Sequence, residues 1–247
     1  MTVFGLDSWL AGFSDGTTLL AVAAVATVLG LRHATDPDHL AAVTTLIAGT
    51  EERATKAAAR LGAAWGAGHA TSLFLFGVPI VLFKAYLPER VEQGAETAVG
   101  LLIIGLALWL LVRWRRGLFH VHVHAHERLH AHGHVHPSDH PHETVRARSP
   151  LQAFGIGLVH GMGGSAGVGV LLLGSIHDHA LALGALAIFA FCTALSMALL
   201  STGLGRVLAS ARLRASFDRL APGLALLSLA FGAWYALGAL DVAPYFF

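Results

Sequence analysis

Residues 31–39 read L-R-H-A-T-D-P-D-H and set Arg32, His33, Asp36, Asp38 and His39 inside a run that is otherwise apolar from Thr17 to Ala48. Ionisable side chains within a membrane segment are costly and default to a functional reading. Two imidazoles and two carboxylates packed this closely form a donor set for a divalent metal. Mixed nitrogen and oxygen ligands suit Ni²⁺, Co²⁺, Zn²⁺ or Fe²⁺ better than Mg²⁺ or Ca²⁺. The competing reading is a helix end, with Asp36 or Asp38 as N-cap, interfacial imidazoles and a snorkelling Arg32.

One regular helix cannot gather these ligands. At about 100° per residue, His33 and Asp38 stand about 140° apart, and His33 and His39 about 240° apart. A helix over residues 17–49 would also be roughly 50 Å long, against a hydrocarbon core of about 30 Å. Pro37 supplies a break, because it lacks an N–H and clashes in a helix interior. The spacing therefore predicts an interruption over Thr35–Asp38 that lets His33, Asp38 and His39 converge.

The elements around this break are membrane-grade. The 247 residues are 55% hydrophobic and 13% charged, with a mean hydropathy of +0.65. A soluble domain carries roughly 25% charged residues. A formal net charge of +1 gives no basic field for nucleic acid, and the single cysteine, Cys192, excludes disulfides. The expected fold is all-α, a polytopic membrane helix bundle of about six transmembrane segments. After the broken first segment come segments near 61–83, 95–112, 151–174, 180–203 and 221–240. Residues 1–16 fit a short interfacial helix with Phe4, Leu6, Trp9, Leu10 and Phe13 facing lipid, or a frayed terminus, and they contain no signal-peptide pattern. Three parts follow: 1–112 as a first three-helix half carrying the metal motif, 113–150 as a His-rich loop, and 151–247 as a second half.

Further histidines are placed suggestively. His69 stands mid-helix in G-H-A-T, with Thr71 two residues on. His160 lies in G-L-V-H-G-M-G-G-S-A-G, whose small residues suit close helix packing. His177 and His179 flank Asp178 in a short turn. Asp36, Thr71, His160, His177 and His179 are candidates for the ion pathway or for orienting the ligands. Ten of the 16 histidines fall between His120 and His142. That run is compositional, suits transient metal binding, and is expected to lack regular structure.

The halves look related. His33 and His160 share a G-L-x-H context 127 residues apart, Gly77 and Gly203 are 126 apart, and Trp109 and Trp234 are 125 apart. Three spans per repeat is an odd number, so the copies would be inverted, a 3+3 transporter architecture with its site at a broken helix. With the N-terminus outside, thirteen Lys and Arg residues fall in inner loops and two, Lys84 and Arg90, in outer ones. That bias predicts an inner-membrane protein with both termini outside and the His-rich loop cytoplasmic.

The motif also resembles a known family. H-A-T-D-P-D-H fits the H-x4-D-H signature of the nickel/cobalt transporter (NiCoT) family, and its surroundings look closest to the shorter, urease-associated branch. Gly68-His69-Ala70-Thr71 is similar to the family's second motif. The third motif, an L-G-F-D-T-A-like run, is absent: residues 160–167 read H-G-M-G-G-S-A-G, without the carboxylate. The resemblance implies a non-enzymatic carrier of Ni²⁺ or Co²⁺ with His33, Asp38, His39 and His69 at its selectivity site, no organic cofactor, and cytoplasmic nickel acceptor proteins as takers of the ion. No nucleotide-binding G-x-x-x-x-G-K-[ST] occurs, so ATP is not hydrolysed by this chain. Three other readings compete: an exporter using the same site, an intramembrane metalloenzyme, and a metal-binding subunit that transports nothing. No Ser or Cys nucleophile is paired with a base near the motif, which weighs against the enzyme.

Overall fold

The computed structural model describes residues 16–47, 54–83, 88–116, 122–124, 130–132, 149–163, 170, 176–208 and 210–244. These form α1 (Gly16–His33), α2 (Pro37–Ile47), α3 (Ala54–Phe83), α4 (Glu89–Arg115), β1 (His122–His124), β2 (His130–His132), α5 (Pro150–His160), α6 (His179–Leu208) and α7 (Ala211–Ala239).

The first segment is broken, as its length and Pro37 require. α1 and α2 meet at a bend of 50°. The interruption falls at Ala34–Asp36, slightly earlier than the proline alone suggests, and it leaves Asp38 inside α2. Pro37 is the first residue of α2, where its missing N–H has no intrahelical partner to lose. The amide of Thr35 bonds back to the Arg32 carbonyl and that of Asp36 to the His33 carbonyl, tightening the end of α1. The Asp36 carbonyl then accepts from Leu40 and opens the next helix.

α3, α4, α6 and the Arg219–Ala239 part of α7 are each long and apolar enough to cross a membrane, and the bent α1–α2 pair makes a fifth. Large apolar side chains such as Leu20, Leu75, Phe191 and Leu227 point outward, while His33, His39, His69 and His160 lie inside. The sixth expected span, 151–174, is represented by α5, an 11-residue helix, with most of its remainder outside the described residues. α5 starts at a capping box: Ser149 and Gln152 exchange side-chain and backbone bonds ahead of Pro150. The expected interfacial helix over residues 1–16 also lies outside them, except Gly16, which opens α1. Within the histidine run, β1 and β2 pair antiparallel, with His122 opposite His132. Alternation with a period of two, H-V-H and H-A-H, matches the strand repeat, which the expectation of no regular structure overlooks.

The helices pair across the two halves. α3 packs on α6 and α4 on α7, while α1 lies along α6 and α5 along α3. Glycines set these approaches. A methyl on Gly30 would stand 2.8 Å from Cys192 Cβ and 3.2 Å from the Thr193 amide nitrogen. A methyl on Gly157 would collide with the Trp65 carbonyl and stand 2.9 Å from the His69 amide nitrogen. Gly30 and Gly157 each precede a helix-ending histidine by three residues, so the same device recurs 127 residues apart.

The recurrence extends to hydrogen bonds. At the end of α5 the Met162 amide bonds back to Val159, as Thr35 does to Arg32 at the end of α1. Each of these bonds spans three residues instead of four. In each case the carbonyl two residues before the histidine loses its usual helical donor, and a serine from the crossing helix supplies one. Ser196 donates to the Leu31 carbonyl at 2.8 Å, and Ser72 donates to the Leu158 carbonyl.

Candidate metal centre

The break delivers α1's last side chain and α2's first ones to one place. His33, Asp36, Asp38 and His39 are all buried, and so are His69 from α3 and His160 from the end of α5. His33 Nδ1 lies 3.2 Å from Asp36 Oδ2, and His33 Nε2 lies 3.0 Å from His69 Nε2. Asp38 holds two rings: Oδ1 is 3.1 Å from His39 Nδ1, and Oδ2 is 3.1 Å from His160 Nε2. These contacts assign tautomers through the network. A His33 ring that donates from Nδ1 to Asp36 turns Nε2 toward His69 as an acceptor, the carboxylate–histidine arrangement that orients metal-bound imidazoles.

Two groups of three buried residues have ligand atoms within 4.8 Å of one another: His33, His39 and His69, and Asp38, His39 and His160. Metal–nitrogen bonds of about 2.0–2.1 Å need donors separated by roughly 3–4 Å, so both groups are compact enough to close on an ion. Buried ring nitrogens His39 Nε2, His69 Nδ1 and His160 Nδ1 have no hydrogen-bond partner. Buried polar atoms are ordinarily satisfied, so three unpaired imidazole nitrogens in one cluster are what a binding site leaves behind.

Aromatic walls flank the cluster. Trp65 lies one turn before His69 on α3, and its ring stands 5.7 Å from both His39 and His160. Phe189 of α6 stands 5.7 Å from His33. Gly161 lets α5 end against His69: a side chain there would stand 2.7 Å from the His69 carbonyl and 3.0 Å from its Nδ1. Arg32 points away, 71% exposed, and its 3.6 Å pairing with Asp36 is therefore weak.

The residues expected from the sequence to share a site, His33, Asp38, His39 and His69, all stand in the cluster, along with Asp36 and His160. The missing carboxylate of the third motif leaves the contribution of segment four open in the sequence; α5 contributes His160, bonded to Asp38. Thr71 lies elsewhere. It is exposed and bonds back to the Ala67 carbonyl, because two residues turn it about 200° from His69. Ser72, on the inner face, takes the structural role. His177 and His179 are exposed at the start of α6 and belong to neither group; Asp178 caps that helix through the Leu181 amide, and His179 Nδ1 lies 3.3 Å from the Val81 carbonyl oxygen. Trp65 and Phe189 do not stand out in the sequence, although Trp65 is at helical spacing from His69. Residues 126–130 spell H-E-R-L-H, a spacing that serves zinc hydrolases on a helix. His130 opens a strand, and His126 lies outside the described residues.

Helices long enough to span a bilayer, one bent pair of which carries buried imidazoles and carboxylates at its bend, define a polytopic membrane protein whose buried cluster could hold a metal ion. The chain belongs to the high-affinity nickel-transport protein family (NicO), whose model matches residues 19–239. This is a family of transporters, not of enzymes. The chain is 28% identical over 162 residues to the urease accessory protein UreH of Bacillus sp. (strain TB-90), covering 66% of each chain. It is 31% identical over 113 residues to a high-affinity nickel transport protein of Cupriavidus necator, covering 44% of this chain and 32% of that one. The chain thus matches a little under two thirds of the first relative and about a third of the second. No solved structure matches.

Proposed function

We propose that this protein carries Ni²⁺, and Co²⁺ by the same ligands, inward across the cytoplasmic membrane. The observation that carries the reading is the buried cluster of His33, Asp38, His39, His69 and His160 at the broken first segment of a chain in a nickel-transport family. Dehydrated Ni²⁺ binds imidazole and carboxylate well, and neutral rings beside one or two carboxylates offset much of its charge without locking it in place. The excess of Lys and Arg in alternate loops favours termini outside and the His-rich loop in the cytoplasm. Inward passage of a doubly charged ion gains about 4.6 kcal/mol per 100 mV of membrane potential, at about 2.3 kcal/mol per charge. The His-rich loop would receive the ion and hand it to cytoplasmic nickel acceptor proteins, a role that fits the urease accessory name of one relative.

Uptake of radioactive nickel into proteoliposomes tests this directly. Wild-type protein is expected to accumulate it, with His33→Ala and Asp38→Asn near background. Unchanged uptake by both variants would overturn the site. Direction is read in cells: an importer raises cellular nickel on expression, an exporter lowers it. A protein that binds nickel yet moves none when reconstituted alone would be a subunit of something larger.

A further inference from the structure

We infer that the cluster is two alternative ion positions sharing one ligand, His39, between which the ion is passed. This deepens the reading of the cluster as the nickel site and rests on it. The His33, His39 and His69 group and the Asp38, His39 and His160 group have only His39 in common. Their outer members diverge: the rings of His69 and His160 stand 6.0 Å apart, whereas His39 lies 4.4 Å from His160, 4.5 Å from His33 and 5.0 Å from His69.

His39 is equipped for a shared role because its ring lies among the other histidines of both groups. Nδ1 lies 3.1 Å from Asp38 Oδ1, within the second group. Nε2 is buried, has no hydrogen-bond partner, and belongs to a ring packed against His33 and His69. The nitrogen left open on this one imidazole can therefore serve either position. Two divalent ions this close would repel strongly in a low-dielectric interior, so the positions fill in turn.

The positions also differ in chemistry. The first offers three neutral imidazoles, with Asp36 behind His33. The second offers two imidazoles and the carboxylate of Asp38, a negative ligand that draws the cation onward. An ion held by His33 and His69 exchanges those ligands for Asp38 and His160 while His39 keeps hold, so it never stands bare in the protein interior.

Shared occupancy leaves a thermodynamic signature. The observed association constant for one ion is the sum of those of the two positions, so at least one of His69→Ala and His160→Ala should keep about half or more of the wild-type affinity. The double variant, which damages both positions, should lose affinity by far more than the product of the single losses. Both single variants should lose uptake, since the route needs both positions. Titration of Ni²⁺ into purified protein in lipid nanodiscs reads the affinities, and radioactive nickel uptake reads transport. X-ray absorption on the nickel-loaded wild type needs no variant and should give an average of a three-imidazole and a two-imidazole-plus-carboxylate environment. Large, multiplicative losses in both single variants, wild-type uptake by either one, or a single environment holding all four imidazoles with Asp38 would overturn the two-position inference while leaving the transport reading intact. Absence of saturable Ni²⁺ binding in the wild type would overturn both.

Discussion

Asp38 organises the cluster because both of its oxygens are engaged, one on each of two histidines from different elements. Removing its charge does more than delete a ligand: it releases the ring of His160, which reaches the cluster from 122 residues away in sequence. Asp36 acts differently, touching the His33 ring from behind. Asp36→Asn should keep all the ligands yet lower Ni²⁺ affinity by about 10–100-fold, the range for losing an orienting partner of a metal-bound histidine. Titration calorimetry on the purified protein checks this; affinity equal to wild type would mean that Asp36 only ends the helix. At this scale the sequence is most informative. His33, Asp38 and His39 stand out because charge is conspicuous in an apolar run, and the helical angle argument shows that they must meet across a break. His160 is harder to place because its neighbours are glycines and its partner Asp38 is on a distant helix. Thr71 draws notice beside His69, but a shift of one position, to Ser72, separates the outer face of α3 from the inner one.

The helices work by close approach at glycines and by replacement of lost hydrogen bonds. Where α1 and α5 tighten before their breaks, the carbonyls of Leu31 and Leu158 are taken by Ser196 and Ser72. A buried acceptor left without a donor costs about 1–3 kcal/mol. Ser72 is fully buried and Ser196 only partly so. Ser72→Ala is therefore expected to lower stability by about 1–3 kcal/mol and Ser196→Ala by less, since water or lipid headgroups can reach the second carbonyl. Thermal unfolding in nanodiscs measures both, and equal losses would contradict the difference in burial. Gly157→Ala forces a methyl against the Trp65 backbone, an overpacking that costs typically about 1–3 kcal/mol. It should also weaken nickel binding, because the displaced backbone carries His69. Pro37 makes the existence of the break legible. Its edges are not, because a proline that starts a helix and one that interrupts a helix look alike until the neighbouring hydrogen bonds are known.

Across the whole molecule, the near-constant spacing of His33 and His160, Gly77 and Gly203, and Trp109 and Trp234 is the ground in the sequence for expecting two related halves. Spacing alone gives no indication of how the halves touch. Each short broken element lies on the other half's long helix, α1 along α6 and α5 along α3, and α3 and α6 pair at the centre. Apolar runs mark the long helices well, whereas beyond α5 most of the sixth expected span lies outside the described residues. The crossed arrangement has a consequence for biogenesis. When the ribosome has delivered α1 to α4, the surface that α1 will cover does not yet exist, and the groove on α3 that awaits α5 is open. The newborn first half must wait in the bilayer with His69 unshielded until the second half arrives, so the two halves mature as mutual templates. A chain cut between residues 133 and 148 should therefore be degraded when either fragment is expressed alone, and recovered as a stable, nickel-accumulating pair when both are expressed together. Copurification and cellular nickel content would report this, and a first fragment that is stable by itself would show that α1 does not depend on α6.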